Sequence, residues 1–243
     1  MRLALLSDIH GNLEALTAVL RDIETRQADQ LICLGDVVGY GCDPAACLEL
    51  VTTHCTVTLM GNHEHAVLGH LDEHSLNDLA RTSIQWTRDQ LKDGPWLKKM
   101  ALFPLEHRVD SLHLVHASPD QPGEWQYILT PAAAKRSFAS GEAWITCFGH
   151  THLPTIFSLS EDGLCRSRFG HDFQPLRENR YLVNVGSVGQ PRDDDPRSCY
   201  VIYDTATADM YFHRVPYDYT QTQHKMAAVN APSMLIERLA VGR

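Results

Sequence analysis

Two hydrophobic periods take turns along the first part of the chain. Leu3-Ala4-Leu5-Leu6 is a short continuous apolar run, the mark of a buried strand. After Asn12, a capping residue type, Leu13, Leu16, Val19, Leu20 and Ile23 recur at the three-and-four spacing of an amphipathic helix. Gln30-Leu31-Ile32-Cys33-Leu34 reads as the next strand. A loop through Tyr40 and Gly41 follows, and then a helix opening at Asp43-Pro44, with proline at a favoured first-turn position. Thr56-Val57-Thr58-Leu59-Met60 repeats the strand, ahead of a helical stretch through Leu76, Leu79, Ile84 and Trp86. Three strand-helix units in a row predict a largely parallel sheet.

The pattern then changes. Leu112–Val115, Trp144–Phe148, Thr155–Leu159, Tyr181–Val185, Cys199–Tyr203 and Met210–Phe212 all read as strands, interrupted by one good helix that begins at Thr130-Pro131 and runs to Phe138. This antiparallel-looking half predicts a second sheet packed on the first, with helices outside. From Tyr217 onward, Met226, Val229, Leu235 and Leu239 around Pro232 read as a broken helix lying on the body, with a surface for a homo-oligomer contact. No linker or internal repeat divides the chain, so residues 1–243 are expected to form one domain, with a core of about 1–215 and a helical tail of about 216–243.

Composition narrows the classes. A chain of 243 residues with 44% hydrophobic content can bury a sizeable core. No apolar stretch is long enough to span a membrane, and Met1–Leu6 reaches Asp8 and His10 too soon for a signal peptide. The net charge of −9 disfavours stable binding of nucleic acid through its phosphates. Seven cysteines without a Cys-x-x-Cys pair read as reduced thiols in a cytoplasmic protein.

Chemistry concentrates in five fragments that each follow a strand-like run: Asp8-Ile9-His10, Gly35-Asp36, Gly61-Asn62-His63-Glu64, His116 and Gly149-His150-Thr151-His152. They are expected to gather at the carboxyl edge of one sheet, where open α/β folds place their sites. Asp8 and His10, two apart in extended chain, would share a face and one cation. Asp36 is the candidate to bridge two cations about 3.5–4 Å apart. His152 would join Asp8 and His10 on the first ion, and Asn62, His116 and His150 would complete the second. Such mixed oxygen and imidazole ligands suit manganese, iron, zinc or nickel better than magnesium or calcium, with manganese the expected occupant.

The ordered set Asp8-x-His10, Gly35-Asp36, Gly61-Asn62-His63-Glu64, His116 and Gly149-His150-x-His152 resembles the calcineurin-like metallophosphoesterase superfamily. Asn184-Val185-Gly186-Ser187-Val188-Gly189-Gln190-Pro191-Arg192 is similar to a segment of its small bacterial YfcE-like phosphodiesterases. The resemblance implies an α/β/β/α four-layer sandwich of two mixed sheets flanked by helices. It also implies two divalent metal ions and hydrolysis of a small phosphoester, a nucleotide among the candidates, by a metal-bridging hydroxide. His63, the histidine after the metal-binding asparagine, would assist the leaving oxygen.

One departure bears on the substrate. Protein phosphatases of this superfamily carry an arginine soon after the bridging aspartate, where this chain has Val37-Val38-Gly39-Tyr40-Gly41. A bidentate clamp for a dianionic monoester is missing there, which favours diesters. Arg192 is the substitute phosphate contact, unless Asp193, Asp194 and Asp195 hold it in a surface salt bridge. Asn12 is either a substrate contact or a helix cap. Trp125 and Tyr127 are either stacking residues or core aromatics. His65, His70 and His74 are expected on the solvated side of a helix, His113 is read as structural, and Glu64 as a helix-start carboxylate without further function. Phosphodiester hydrolysis thus leads, with a phosphomonoesterase or protein phosphatase, or a non-catalytic scaffold like the retromer's phosphoesterase-like subunit, as alternatives.

Overall fold

The structure, a computed structural model, describes residues 1–71 and 78–243. The expectations placed on His74 and Leu76 lie outside the described residues. In chain order the elements are β1 (Arg2–Leu6), α1 (Leu13–Thr25), β2 (Gln30–Cys33), α2 (Pro44–His54), β3 (Val57–Thr58), α3 (Asn62–Val67), α4 (Asp78–Leu91) and α5 (Trp96–Met100). They continue with β4 (Glu106–Val109), β5 (Leu112–Val115), α6 (Pro131–Ala139), β6 (Ile145–Phe148), β7 (Thr155–Ser160), β8 (Cys165–Phe169), β9 (Asn179–Asn184), β10 (Ser198–Asp204), β11 (Met210–Val215), α7 (Tyr219–Ala228) and α8 (Ser233–Glu237).

Alternation within the strands builds four layers. In β1, Leu3 and Leu5 point one way and Ala4 and Leu6 the other; in β10, Val201 and Tyr203 oppose Tyr200 and Ile202. Leu3, Leu5, Val201 and Tyr203 meet Leu112, Leu114, Ile145, Cys147 and Val183 of the second sheet in the core between the sheets. The opposite faces are covered by helices: Leu16, Val19 and Ile23 of α1 with Leu48 and Val51 of α2 on the first sheet, and Ala134 and Phe138 of α6 on the second. A strand packed on both faces shows no polar side, which is why these runs are continuously apolar.

The first sheet has the order β11-β10-β1-β2-β3, and the second β4-β5-β6-β9-β7-β8. β1, β2 and β3 are parallel to one another, as are β5, β6 and β9, so the carboxyl ends within each group emerge together. The caps follow the sequence: Asn12 Oδ1 accepts the Ala15 N–H at 3.1 Å to start α1, and Thr130 Oγ1 accepts the Ala133 N–H at 3.2 Å to start α6.

Several elements depart from expectation. β3 spans two residues instead of five, because the Met60 N–H turns away to the Pro104 carbonyl as the chain enters the site. The edge strands β4 and β8 escape a search for apolar runs, since Glu106-His107-Arg108 and Arg166-Ser167-Arg168 carry the charge that keeps an edge from pairing with another chain. The tail breaks at Pro232 and packs through Met226, Leu235 and Leu239, whereas Val229 is 40% exposed. Among the described residues no helix is long and apolar enough to cross a membrane.

Candidate metal centre

Asp8 and His10 follow β1, Asp36 follows β2, Asn62 and His63 open α3 just after β3, His116 follows β5, and His150 and His152 follow β6. The site is therefore fed by the carboxyl ends of both sheets and not by one. Nor do Asp8 and His10 share a face of extended chain. Their φ values are 55 and 50, and Asp36, His150 and His152 also sit in the left-handed region at 54, 64 and 60. Non-glycine residues seldom adopt that conformation, and its occurrence at five neighbouring positions marks a backbone shaped for its side chains. The bends are held by long-range amides: the Ile9 and His10 N–H groups both donate to the Asp36 carbonyl, at 2.8 and 3.0 Å, and the Asp8 N–H to the Gly35 carbonyl at 3.0 Å.

The side chains converge through one nitrogen each. Nδ1 of His10 faces the Val38 carbonyl at 3.1 Å, Nδ1 of His116 the Leu34 carbonyl at 2.9 Å, and Nδ1 of His152 the Gln190 carbonyl at 2.6 Å. A carbonyl can only accept, so Nδ1 carries the proton and Nε2 turns a lone pair inward when the ring is neutral. Nε2 of His10 and Nε2 of His152 lie 3.0 Å apart. Two lone pairs at that distance repel unless a cation or proton lies between them, so this pair fits a metal. Asp8 Oδ1 lies 3.4 Å from the same His152 nitrogen and 3.9 Å from that of His10.

Asp36 stands between this group and a second. Its Oδ2 is 3.8 Å from His10 Nε2, 3.9 Å from His63 Nε2 and 3.3 Å from His116 Nε2, while its Oδ1 accepts the His63 N–H at 2.9 Å. His116 Nε2 also meets Asn62 Oδ1 at 3.1 Å, and the buried Nε2 of His150 has no partner. Among the described residues three sets of donor atoms could each hold an ion: Asp8, His10 and His152; His10, Asp36 and His63; and Asp36, His116 and His150. All seven residues proposed as ligands, together with His63, are thus brought together.

Burial governs the protonation of the cluster. It pushes the Asp8 carboxyl up to about 7 and holds the His10 and His152 imidazoles well below their usual value. Burial and the nearby His116 push His150 down to about 3. For Asp36, burial acts upward, but His116 and His63 outweigh it and keep the carboxyl well below the usual range. His116 shows the converse: burial acts downward, yet Asp36 raises it to about 9. In the metal-free protein a proton on His116 therefore supplies the positive charge beside Asp36.

Beside the cluster opens a cavity of about 310 Å³ whose walls include Tyr40, Asn62, His63, Trp125, Tyr127 and Arg192. Tyr127 stacks on His150 with ring centres 4.0 Å apart, and Tyr40 lies 4.5 Å from His63 and 4.7 Å from His10. Trp125 is buried against His65 and His116, so both aromatics of that loop face the site. Arg192 is free of the aspartates that follow it: Asp193 pairs with Arg214, Asp194 with Arg243, and Asp195 with Arg197. The surface salt bridge considered for Arg192 is therefore not formed, and its buried Nε is partnerless.

Asn12 takes the structural of its two roles. Its Oδ1 accepts from the Ala15 N–H and the Thr222 hydroxyl, and its Nδ2 donates to the Gly189 carbonyl and the Tyr217 hydroxyl, which uses its amide fully and away from the cavity wall. The substrate contact expected of Asn12 is set aside on that ground. His113 pairs with Glu106 at 2.6 Å, as a structural histidine should. His65 turns toward Trp125 instead of solvent. Glu64 does more than start a helix: fully buried, it accepts the N–H groups of Asp36, Gly61 and Val38 and so ties the Asp36 loop to α3. Tyr40 is a further wall of the site, its signal in the sequence being a lone aromatic between two glycines in the loop after Asp36.

Two mixed sheets stacked face to face, with aspartate and histidine side chains meeting off their strand ends, fit the metallophosphoesterase class. Sequence comparison gives that class its family, and the chain belongs to the calcineurin-like phosphoesterase superfamily, whose domain profile matches residues 1–208. The protein is also similar to an uncharacterized protein of Methanocaldococcus jannaschii, 36% identical over 99% of this chain and 98% of the other. A metallophosphoesterase of Sphaerobacter thermophilus superposes with a TM-score of 0.87 at 35% identity, covering 100% of this chain and 99% of that one. A hypothetical protein of Pyrococcus horikoshii shares the fold at 18% identity, with a TM-score of 0.80 and coverage of 100% and 98%.

Proposed function

We propose that this phosphoester hydrolase cleaves phosphodiesters with two divalent metal ions held by Asp8, His10, Asp36, Asn62, His116, His150 and His152. The observation that carries the reading is the pair of inward Nε2 lone pairs on His10 and His152, 3.0 Å apart and each fixed by a carbonyl behind it. Manganese, iron and zinc all suit these donors, and manganese is the expected occupant. When bound, the ions supply Lewis-acid neutralisation of the phosphoryl charge and acidify a water toward a nucleophile at neutral pH.

The chain's own residues do the rest. Asp36 faces both ligand groups and would serve both ions. His63 lies on the cavity wall beside Asp36, where its imidazole can pass a proton to the departing oxygen. Burial keeps His63 below its ordinary value in the free protein, and the negative charge of a bound phosphoester acts in the opposite direction. Arg192 offers one guanidinium to a non-bridging oxygen. A diester needs no more than one, since it carries one charge less than a monoester dianion. Tyr40 and Tyr127 flank the opening and suit an apolar or aromatic ester group, as in a nucleoside.

The test is hydrolysis of bis-p-nitrophenyl phosphate against p-nitrophenyl phosphate by metal-stripped protein with and without added manganese. Metal-dependent preference for the diester is expected. Preference for the monoester would replace this reading with a phosphatase, and no turnover of either with two metals bound would favour a non-catalytic role.

A further inference from the structure

The C-terminal segment lies beyond the stretch matched by the family's domain profile, which ends at 208, yet it braces three loops of the site. Thr222 donates to Asn12 at 3.0 Å, Lys225 pairs with Glu14 at 2.9 Å and with Asp43, and Met226, Leu235 and Leu239 enclose Tyr40. Its last residues fasten the loop that carries Arg192. The Asp194 N–H donates to the Gly242 carbonyl at 2.9 Å, Arg243 pairs with Asp194, and Gly242, at φ 66, is packed so closely on Asp195 that a Cβ would overlap its backbone.

At the centre of this brace two guanidinium groups share one oxygen. Arg192 donates to Gln190 Oε1 at 2.8 Å and Arg238 donates to the same atom at 3.1 Å. Gln190 is itself fixed: it is 2% exposed, its N–H donates to Ser187 Oγ at 2.8 Å, and its carbonyl accepts from His152 at 2.6 Å. Among the described residues no aspartate or glutamate side chain pairs with Arg192 or Arg238, whose Nε donates to the Arg243 main-chain oxygen, and the three aspartates nearest in sequence to Arg192 are taken by other arginines. Retreat of Arg192 toward the tail would bring it onto the charge of Arg238. The anion left for it is one that enters the cavity.

We propose that Arg238 is a positioning residue that fixes the Gln190 amide and thereby holds Arg192 toward the cavity as the contact for a phosphoryl oxygen. The inference rests on the phosphoesterase reading above and adds the C-terminal segment to the substrate-binding apparatus. A neutral amide is the right tether for this purpose, because it orients Arg192 without neutralising it. A carboxylate in its place would hold the side chain more strongly and compete with the substrate.

The experiment uses the full chain loaded with manganese, bis-p-nitrophenyl phosphate as substrate, and inorganic phosphate as a ligand followed by both inhibition and calorimetry. Arg192→Ala is expected to raise KM and the phosphate Kd by roughly tenfold, the loss of a charge-assisted hydrogen bond. Arg238→Ala should raise both by about threefold to tenfold through KM and not kcat, with metal content and Tm kept, and Arg238→Lys should recover part of the loss. The double variant should match Arg192→Ala alone, since Arg238 acts through Arg192. Wild-type KM and Kd in Arg238→Ala alongside a weakened Arg192→Ala, or effects that simply add, would overturn the inference while leaving the enzymatic reading intact. An inactive wild type would instead overturn the enzymatic reading, and the phosphate calorimetry would still decide whether Arg238 acts through Arg192.

Discussion

Glu64→Gln isolates how much of the site depends on one buried carboxylate that none of the ligand sets includes. Oε2 of Glu64 accepts the N–H groups of Asp36 and Gly61 at 2.8 and 2.9 Å, and Oε1 accepts that of Val38 at 3.0 Å. Glutamine has nearly the same shape but only one acceptor oxygen. Set in place of Oε2, that oxygen keeps two donors and turns an NH2 group onto the Val38 N–H; reversed, it abandons two donors. One orphaned buried N–H costs about 1–3 kcal/mol, and the surviving bonds lose their charge assistance at roughly 0.5–1 kcal/mol each. Burial and the neighbouring Asp36 push the Glu64 carboxyl up to about 7, so removing its charge also relieves a repulsion and trims the loss. The net expectation is destabilisation by about 2–4 kcal/mol, a large part of an ordinary folding free energy. Because the displaced amides belong to Asp36 and Gly61, manganese affinity should fall by about 10–100-fold as well. Urea unfolding of the metal-free variant and a calorimetric manganese titration measure the two effects. A variant within about 0.5 kcal/mol of wild type that binds manganese equally well would refute the role given to Glu64.

Three further expectations follow from the same geometry. His63→Ala should retain metal but lose about 10²–10⁴ in turnover, whereas Asp36→Ala should lose metal itself; full activity of the His63 variant on a diester with a poor leaving group would remove His63 from the mechanism. Gly39→Ala forces a side chain into φ 86 with its Cβ overlapping the His63 ring, so turnover should drop with metal content unchanged, and an unaffected rate would show that the position of His63 is not critical. His116, raised to about 9 by Asp36 against the effect of burial, binds its proton more tightly folded than unfolded. Its contribution to metal-free stability is therefore fully present below about pH 6.5 and lost as pH rises through about 9. Metal must displace that proton, so affinity should strengthen over the same window by up to about tenfold per pH unit. Manganese titrations at pH 6.5, 7.5 and 8.5 check this, and a flat response would mean that no proton is released from His116.

The layers and the candidate ligands are legible in the sequence, but not what holds them. Asp8, His10, Asp36, His116, His150 and His152 stand out because each follows an apolar run short enough to be a strand, and metal-ligating side chains at strand ends are rarely idle. The structure brings their side chains together, by a local geometry other than the expected one: Asp8 and His10 meet through two left-handed residues and not along an extended face. Glu64, Gln190 and Arg238 were silent because their roles depend on partners far along the chain, and Gln190 joins Arg238 across 48 positions. The charged edge strands β4 and β8 were silent for the opposite reason, since their composition is what a solvent-facing edge requires.

The left-handed conformations connect these two halves of the account. Five proposed ligands in that region store strain of order 1 kcal/mol or more apiece, and such strain persists only where surrounding bonds over-determine the backbone. Here the bonds are identifiable: the Asp36 carbonyl takes two amides from the Asp8–His10 loop, Glu64 takes the Asp36 amide, and Asp8 takes the His150 amide at 2.9 Å. Each ligand loop is thus tied to the backbone or carboxylate of another. The arrangement fixes the donor atoms before any ion arrives, at the cost of placing two lone pairs and two carboxylates in a buried space. An ion entering that space meets donors already in position and removes the repulsion among them, which is why the same residues that strain the fold would give it its affinity for metal.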